Sequence, residues 1–123
     1  MKKLFLMATM LLMFGAVNAQ IAEVKEDGSM VKIYDDRGSY TGNYVSFCSK
    51  CELAGYNSKY IVVVDGSMAK IYDSKGSYTG NYVSLCSSCY VKNVSASAIL
   101  VKDGSMTKYY DFKGSYTGNY TTN

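Results

Sequence analysis

The sequence predicts an all-β chain made of three tandem antiparallel hairpin repeats of about 38 residues. Three observations carry that reading. The block at residues 65–82 recurs at 27–44 and 103–120, and each outer copy differs from the middle one at three of eighteen positions. Within the blocks, short alternating runs are separated at regular intervals by Asp-Gly and by a second glycine, the pattern of strands joined by tight turns. No stretch after the first twenty residues keeps a helical period. An open meander or short solenoid is favoured over a closed pseudo-threefold barrel or prism, because hairpins in register align equivalent Tyr, Met and Cys positions.

The first 19 residues are set apart. Lys2 and Lys3 precede an apolar run at 4–14, and Val17-Asn18-Ala19 is a small-residue cleavage site, so the segment reads as a secretory signal peptide. The run is shorter than the roughly 20 residues a bilayer span needs. The remainder is expected to be exported, to the periplasm or the cell exterior, as a single domain with repeats at about 21–58, 59–96 and a truncated 97–123. Removing Lys2 and Lys3 leaves 11 basic and 10 acidic side chains, a balance that offers no field for nucleic acid or anionic membrane. The chain has no His and no Trp but thirteen Tyr, so the commonest general base and neutral metal ligand is missing.

In each repeat a β-branched or apolar run (21–25, 60–64, 98–102) leads into Asp-Gly, a hairpin signal because Gly takes positive φ without a Cβ clash. The second strand (30–34, 68–72, 106–110) places Met, Lys and Tyr on one face. Val31/Ile33, Ala69/Ile71 or Thr107/Tyr109 lie on the other. The methionines are read as fillers beside the turns. Asp35, Asp73 and Asp111, each with Gly three residues on, read as type I turns. A calcium loop would need a terminal Glu, and Lys or Arg stands among the ligand positions instead.

The third strand (39–47, 77–85, 115–121) carries Tyr-Thr-Gly-Asn-Tyr, where an internal glycine marks a bulge or a close approach. Tyr40/Tyr44, Tyr78/Tyr82 and Tyr116/Tyr120 form either a packing ladder or a face that holds a sugar ring or peptide.

Cys48-x-x-Cys51 and Cys86-x-x-Cys89 lie 38 residues apart. Four thiolates satisfy a tetrahedral zinc site, and the strand-turn-strand context resembles a zinc knuckle over these few residues. Glu52 and Tyr90 stand where such knuckles favour a small residue. Export favours disulfides instead. Pairing within a CxxC closes a very short loop, whereas pairing across repeats would contribute roughly 3 to 4 kcal/mol. A redox dithiol would need a helix N-terminus that this pattern lacks.

No nucleophile-base pair or phosphate loop is present. The expected function is therefore non-enzymatic: an exported structural or binding module, stabilised by paired cysteines, that meets a glycan or a protein surface through the tyrosines, with self-association through exposed sheet edges as the other contact. The alternative is a zinc-binding or thiol-redox protein using Cys48, Cys51, Cys86 and Cys89. A polysaccharide-cleaving enzyme would rest only on export and aromatic content, since turn geometry already explains Asp35, Asp73 and Asp111, the sole repeated carboxylates outside the Asp-Gly turns.

Overall fold

The computed structural model describes residues 20–122, and the predicted signal peptide lies outside them. Eleven strands form three antiparallel meanders, and no helix occurs among the described residues. The first sheet holds β1 (Glu23–Asp27), β2 (Met30–Tyr34) and β3 (Tyr40–Ser46). The second holds β4 (Glu52–Tyr56), β5 (Ile61–Asp65), β6 (Met68–Tyr72) and β7 (Tyr78–Ser84). The third holds β8 (Tyr90–Val94), β9 (Ile99–Asp103), β10 (Met106–Tyr110) and β11 (Tyr116–Thr122). The sheets form an open arrangement, and no barrel closes among the described residues.

Local chemistry explains the meanders. Asp27 pairs with Met30, Asp65 with Met68 and Asp103 with Met106, leaving two-residue Gly-Ser loops. Gly28, Gly66 and Gly104 have φ of 64°, 65° and 65°, and among the described residues only glycines have positive φ, the pattern of a type II′ hairpin. Between the second and third strands, the Asp35 Oδ1 accepts the Arg37 and Ser39 N–H groups at 2.9 and 3.0 Å. Asp73 and Asp111 repeat the arrangement. The predicted bulge is present in all three copies, as register shifts between Lys32 and Tyr34, Lys70 and Tyr72, and Lys108 and Tyr110. Thr41 stitches it by donating to the Ile33 carbonyl at 2.9 Å and accepting the Asn43 N–H at 3.1 Å.

The bridges pair differently from the sequence phasing. β4 and β8 do not close the repeat in which they end; each becomes the first strand of the following sheet. The third sheet is thus a full four strands, and the short one is the first.

Alternation turns each sheet into a two-faced layer. Val31, Ile33 and Val45 of the first sheet pack with Ile61 and Val63 of the second. On the opposite face of the second sheet, Val62, Ala69, Ile71 and Val83 pack with Ile99 and Val101 of the third. Ile61, Val62 and Val63 are all buried because β5 is covered from both sides, and burying a Val or Ile side chain stabilises by roughly 1.5–3 kcal/mol. Between sheets, the Ile21 N–H donates to the Ser58 carbonyl at 2.8 Å and Asn57 Nδ2 to the Ser95 carbonyl at 3.0 Å. The Tyr60 and Phe112 rings stack at 4.7 Å.

The two end faces are polar where the inner faces are apolar. One repeat before Ile61 and Val63 stand Glu23 and Lys25, and one repeat after Ala69, Ile71 and Val83 stand Thr107, Tyr109 and Thr121. A stack of repeats needs such caps, since an apolar end would recruit another sheet.

Candidate functional site

The three-fold repeated chemistry lies on the second and third strands of each sheet. Register places Lys32 opposite Tyr44 and Tyr34 opposite Tyr40, so these four side chains share a face. The Tyr34 and Tyr40 rings meet at 5.7 Å and a 43° tilt; Tyr72–Tyr78 and Tyr110–Tyr116 repeat this at 5.4 and 5.5 Å. Lys32 Nζ lies 5.2 Å from the Tyr40 ring centre, with Lys70–Tyr78 and Lys108–Tyr116 each at 5.6 Å. Each lysine is also tied to the hairpin carboxylate behind it: Lys32–Asp27 at 2.7 Å, Lys70–Asp65 at 3.0 Å and Lys108–Asp103 at 2.9 Å.

All six predicted tyrosines are exposed, from 41% at Tyr40 to 53% at Tyr120. Each belongs to a within-sheet unit. The units follow one another along one side of the stack, because the turn before β7 packs on the Tyr44 backbone and the turn before β11 on that of Tyr82. The lysine–aspartate pairs were not anticipated from the sequence. Their signal is the five-residue spacing from Asp to Lys across a two-residue turn, which brings the two to diagonal cross-strand positions.

Cys48 is disulfide-bonded to Cys51 and Cys86 to Cys89, with Cα separations of 5.1 and 4.9 Å. The four-cysteine zinc arrangement and cross-repeat pairing are therefore not those adopted. A loop this short limits the unfolded chain by only about 2 kcal/mol. β4 and β8, not helices, follow the motifs, so no helix dipole lowers the thiol pKa. Each pair sits on the next sheet: Cys48 Sγ approaches Asp65 Oδ1 at 4.0 Å and Cys86 Sγ approaches Asp103 Oδ1 at 3.9 Å. Beside the second pair a cleft of about 490 Å³ is lined by Leu53, Val64, Gly66 and Tyr90.

Asp35, Asp111 and the three hairpin lysines give stability a dependence on pH. Two backbone donors, Ser39 first and Arg37 second, hold the Asp35 carboxyl below its ordinary 3.8. Ser115 and Lys113 do the same for Asp111. Hydrogen bonds to Asp27, Asp65 and Asp103 raise Lys32, Lys70 and Lys108 above 10.5. A lowered carboxyl stabilises the fold above its unfolded pKa, and that contribution is lost as pH falls through the folded value. A raised lysine stabilises below its unfolded pKa, and its contribution is lost as pH rises through the folded value. Denaturation midpoints should accordingly be level between these ranges and fall at both ends. A urea midpoint that stays level well below pH 3.8 would show that the Asp turns do not act in this way.

Fold and sulfur pairing define the class: a small, all-β tandem-repeat module carrying two disulfides and an exposed tyrosine-rich surface. Comparison with known proteins places it no more narrowly, since no family model, curated protein or solved structure matches the chain.

Proposed function

We propose that the chain is an exported, non-enzymatic binding module that takes an extended, uncharged glycan along its tyrosine face. The observation that carries this reading is the threefold recurrence of one exposed unit, Tyr40/Tyr44, Tyr78/Tyr82 and Tyr116/Tyr120, on successive sheets. A linear polymer of repeating sugars meets such a surface several times at once, and weak contacts then add through effective concentration. Ring faces suit the apolar faces of sugars. The repeated lysines Lys32, Lys70 and Lys108 are paired with Asp27, Asp65 and Asp103, so the repeated unit offers balanced charge, which favours a neutral polymer over an acidic one.

Two further features support the reading. Disulfides suit an oxidising compartment, in keeping with the predicted export. The repeated carboxylates Asp35, Asp73 and Asp111 spend Oδ1 on turn N–H groups, a structural role that accounts for their recurrence without glycoside cleavage.

Glycan-array binding tests the proposal. Tyr44→Ala, Tyr82→Ala or Tyr120→Ala should each weaken binding about fivefold to tenfold, as loss of roughly 1 kcal/mol of ring contact predicts, and the triple variant should abolish it. Tyr90→Ala, an exposed tyrosine at the start of β8 and off the repeated unit, is the control. Unchanged affinity in the triple variant would remove the tyrosine face from the function.

A further inference from the structure

The two CxxC motifs point to something the tyrosine face does not use. In each, two sulfurs and one carboxylate oxygen of the next sheet lie within 4.8 Å of one another: Cys48, Cys51 and Asp65 in the first group, Cys86, Cys89 and Asp103 in the second. We propose that each motif, once reduced, is a separate three-ligand site for a thiophilic divalent cation of the zinc type, giving two sites per chain that open and close with the redox state of the sulfurs.

Three features of the geometry carry this. First, a tetrahedral ion with metal–sulfur and metal–oxygen distances of about 2.3 and 2.0 Å holds its sulfur and oxygen ligands about 3.5 Å apart. The observed sulfur–oxygen separations, 4.0 and 3.9 Å, are close to that value, and the two sulfurs of each motif part to their own ligand spacing once the S–S bond is broken. Second, the carboxylate is already oriented. Lys70 holds Asp65 Oδ2 at 3.0 Å and Lys108 holds Asp103 Oδ2 at 2.9 Å, which leaves Oδ1 toward the sulfur. Outer partners of this kind fix the direction of a metal ligand. Third, the charges balance. Two thiolates, one carboxylate, a divalent cation and the lysine ammonium sum to zero, so neither filling the site nor its lysine neighbour leaves an uncompensated charge. The third hairpin carboxylate supplies an internal comparison: Asp27 has the same salt bridge to Lys32 but no CxxC precedes it.

The chemistry is reversible. A dithiol reductant gives two electrons and two protons to the sulfur pair, breaking the S–S bond and becoming a disulfide itself. The cation then displaces the two thiol protons and takes Asp Oδ1 as its third ligand, with a fourth position left to water. Exchange with a small-molecule disulfide runs the step backwards: the S–S bond of the motif reforms, the two electrons pass to that disulfide, which takes two protons from solvent to become two thiols, and the ion is released. Under oxidising conditions the motif is a closed disulfide, as the structure has it.

Cobalt titration is the test. The purified chain is reduced anaerobically with a water-soluble phosphine, freed of it, and titrated with Co2+ while thiolate-to-cobalt charge-transfer absorption is followed and the stoichiometry is read by native mass spectrometry. Two ions per reduced chain and none per oxidised chain are expected. The Asp65→Asn/Asp103→Asn variant should bind at least about tenfold more weakly, because even loss of an outer-shell partner costs 10–100-fold, whereas Asp27→Asn should bind like the parent. The Cys48→Ser/Cys51→Ser variant keeps the second group intact and should bind one ion, which gives a reading even if the carboxylate variants fail to fold. One ion per parent chain, no uptake, uptake independent of Asp65 and Asp103, or complete loss in the Cys48→Ser/Cys51→Ser variant would each overturn the proposal.

Discussion

Gly76→Ala is expected to cost far more stability than Gly38→Ala, although the two glycines occupy the same position of the repeat. All three turn glycines are left-handed, with φ of 79° at Gly38, 83° at Gly76 and 86° at Gly114. Placing a Cβ in that conformation costs roughly 1–2 kcal/mol. At Gly38 nothing lies within 4 Å of the added carbon, so strain is the whole effect. At Gly76 the same carbon would lie 2.6 Å from the Tyr44 carbonyl carbon and nearer still to its oxygen. Both partners are main chain, so no rotamer relieves the overlap and the sheets must move apart. At Gly114 the carbon would lie 2.8 Å from the Tyr82 carbonyl carbon. A loss of roughly 3–5 kcal/mol is expected at either site, a large share of the 5–15 kcal/mol typical of a folded domain. Urea denaturation of the three single variants measures this directly. Equal losses at positions 38, 76 and 114 would show that the turns do not pack between sheets.

The same comparison shows what the sequence discloses and what it withholds. Residues 30–34, 68–72 and 106–110 are strands as their alternation predicts, and the third strands differ from prediction by only a residue or two at their ends. Period-two patterning and turn glycines are local, so local sequence reveals them. Gly38 and Gly76 lie in nearly identical blocks, yet only one touches a preceding sheet, and that difference belongs to position in the stack. The pairing of β4 and β8 with the following sheet was hidden for the same reason, because an edge strand with two chemically similar neighbours carries no mark of which it joins. Export and an even cysteine count pointed to disulfides. Their closure within each motif depends on the Cys48–Cys51 and Cys86–Cys89 turns, held by N–H to carbonyl bonds of 3.1 and 3.0 Å, and spacing alone could not decide it. Recurrence alone singles out the six tyrosines as a candidate face. Lys32, Lys70 and Lys108 recur equally, but their role needed the register that carries them back onto Asp27, Asp65 and Asp103.

Restoring the inner-repeat residues at both ends should turn the finite stack into a head-to-tail polymer. The first sheet presents Glu23 and Lys25 where the second presents Ile61 and Val63 to its neighbour. The third sheet ends in Thr107, Tyr109 and Thr121 where the second has Ala69, Ile71 and Val83. Each inner junction is an apolar face laid on the next sheet, a heterologous contact that does not close on itself, and such contacts grow into filaments when nothing stops them. What stops this one is polarity. Docking another copy on the present ends would bury Glu23 and Lys25 against a face containing Tyr109, at the desolvation cost of unpaired charges. Thr107 is already 2% exposed, and its hydroxyl has no hydrogen-bond partner among the described residues, so this cap retains a polar group at some cost in stability. Changing Glu23→Ile, Lys25→Val, Thr107→Ala, Tyr109→Ile and Thr121→Val together makes each end resemble an inner face. Sedimentation should then show assemblies that lengthen with protein concentration, and either half of the set alone should elongate far less, because one apolar end would still meet a polar one. If the full variant sediments like the parent at every concentration, the end residues are not what limits the stack to three sheets.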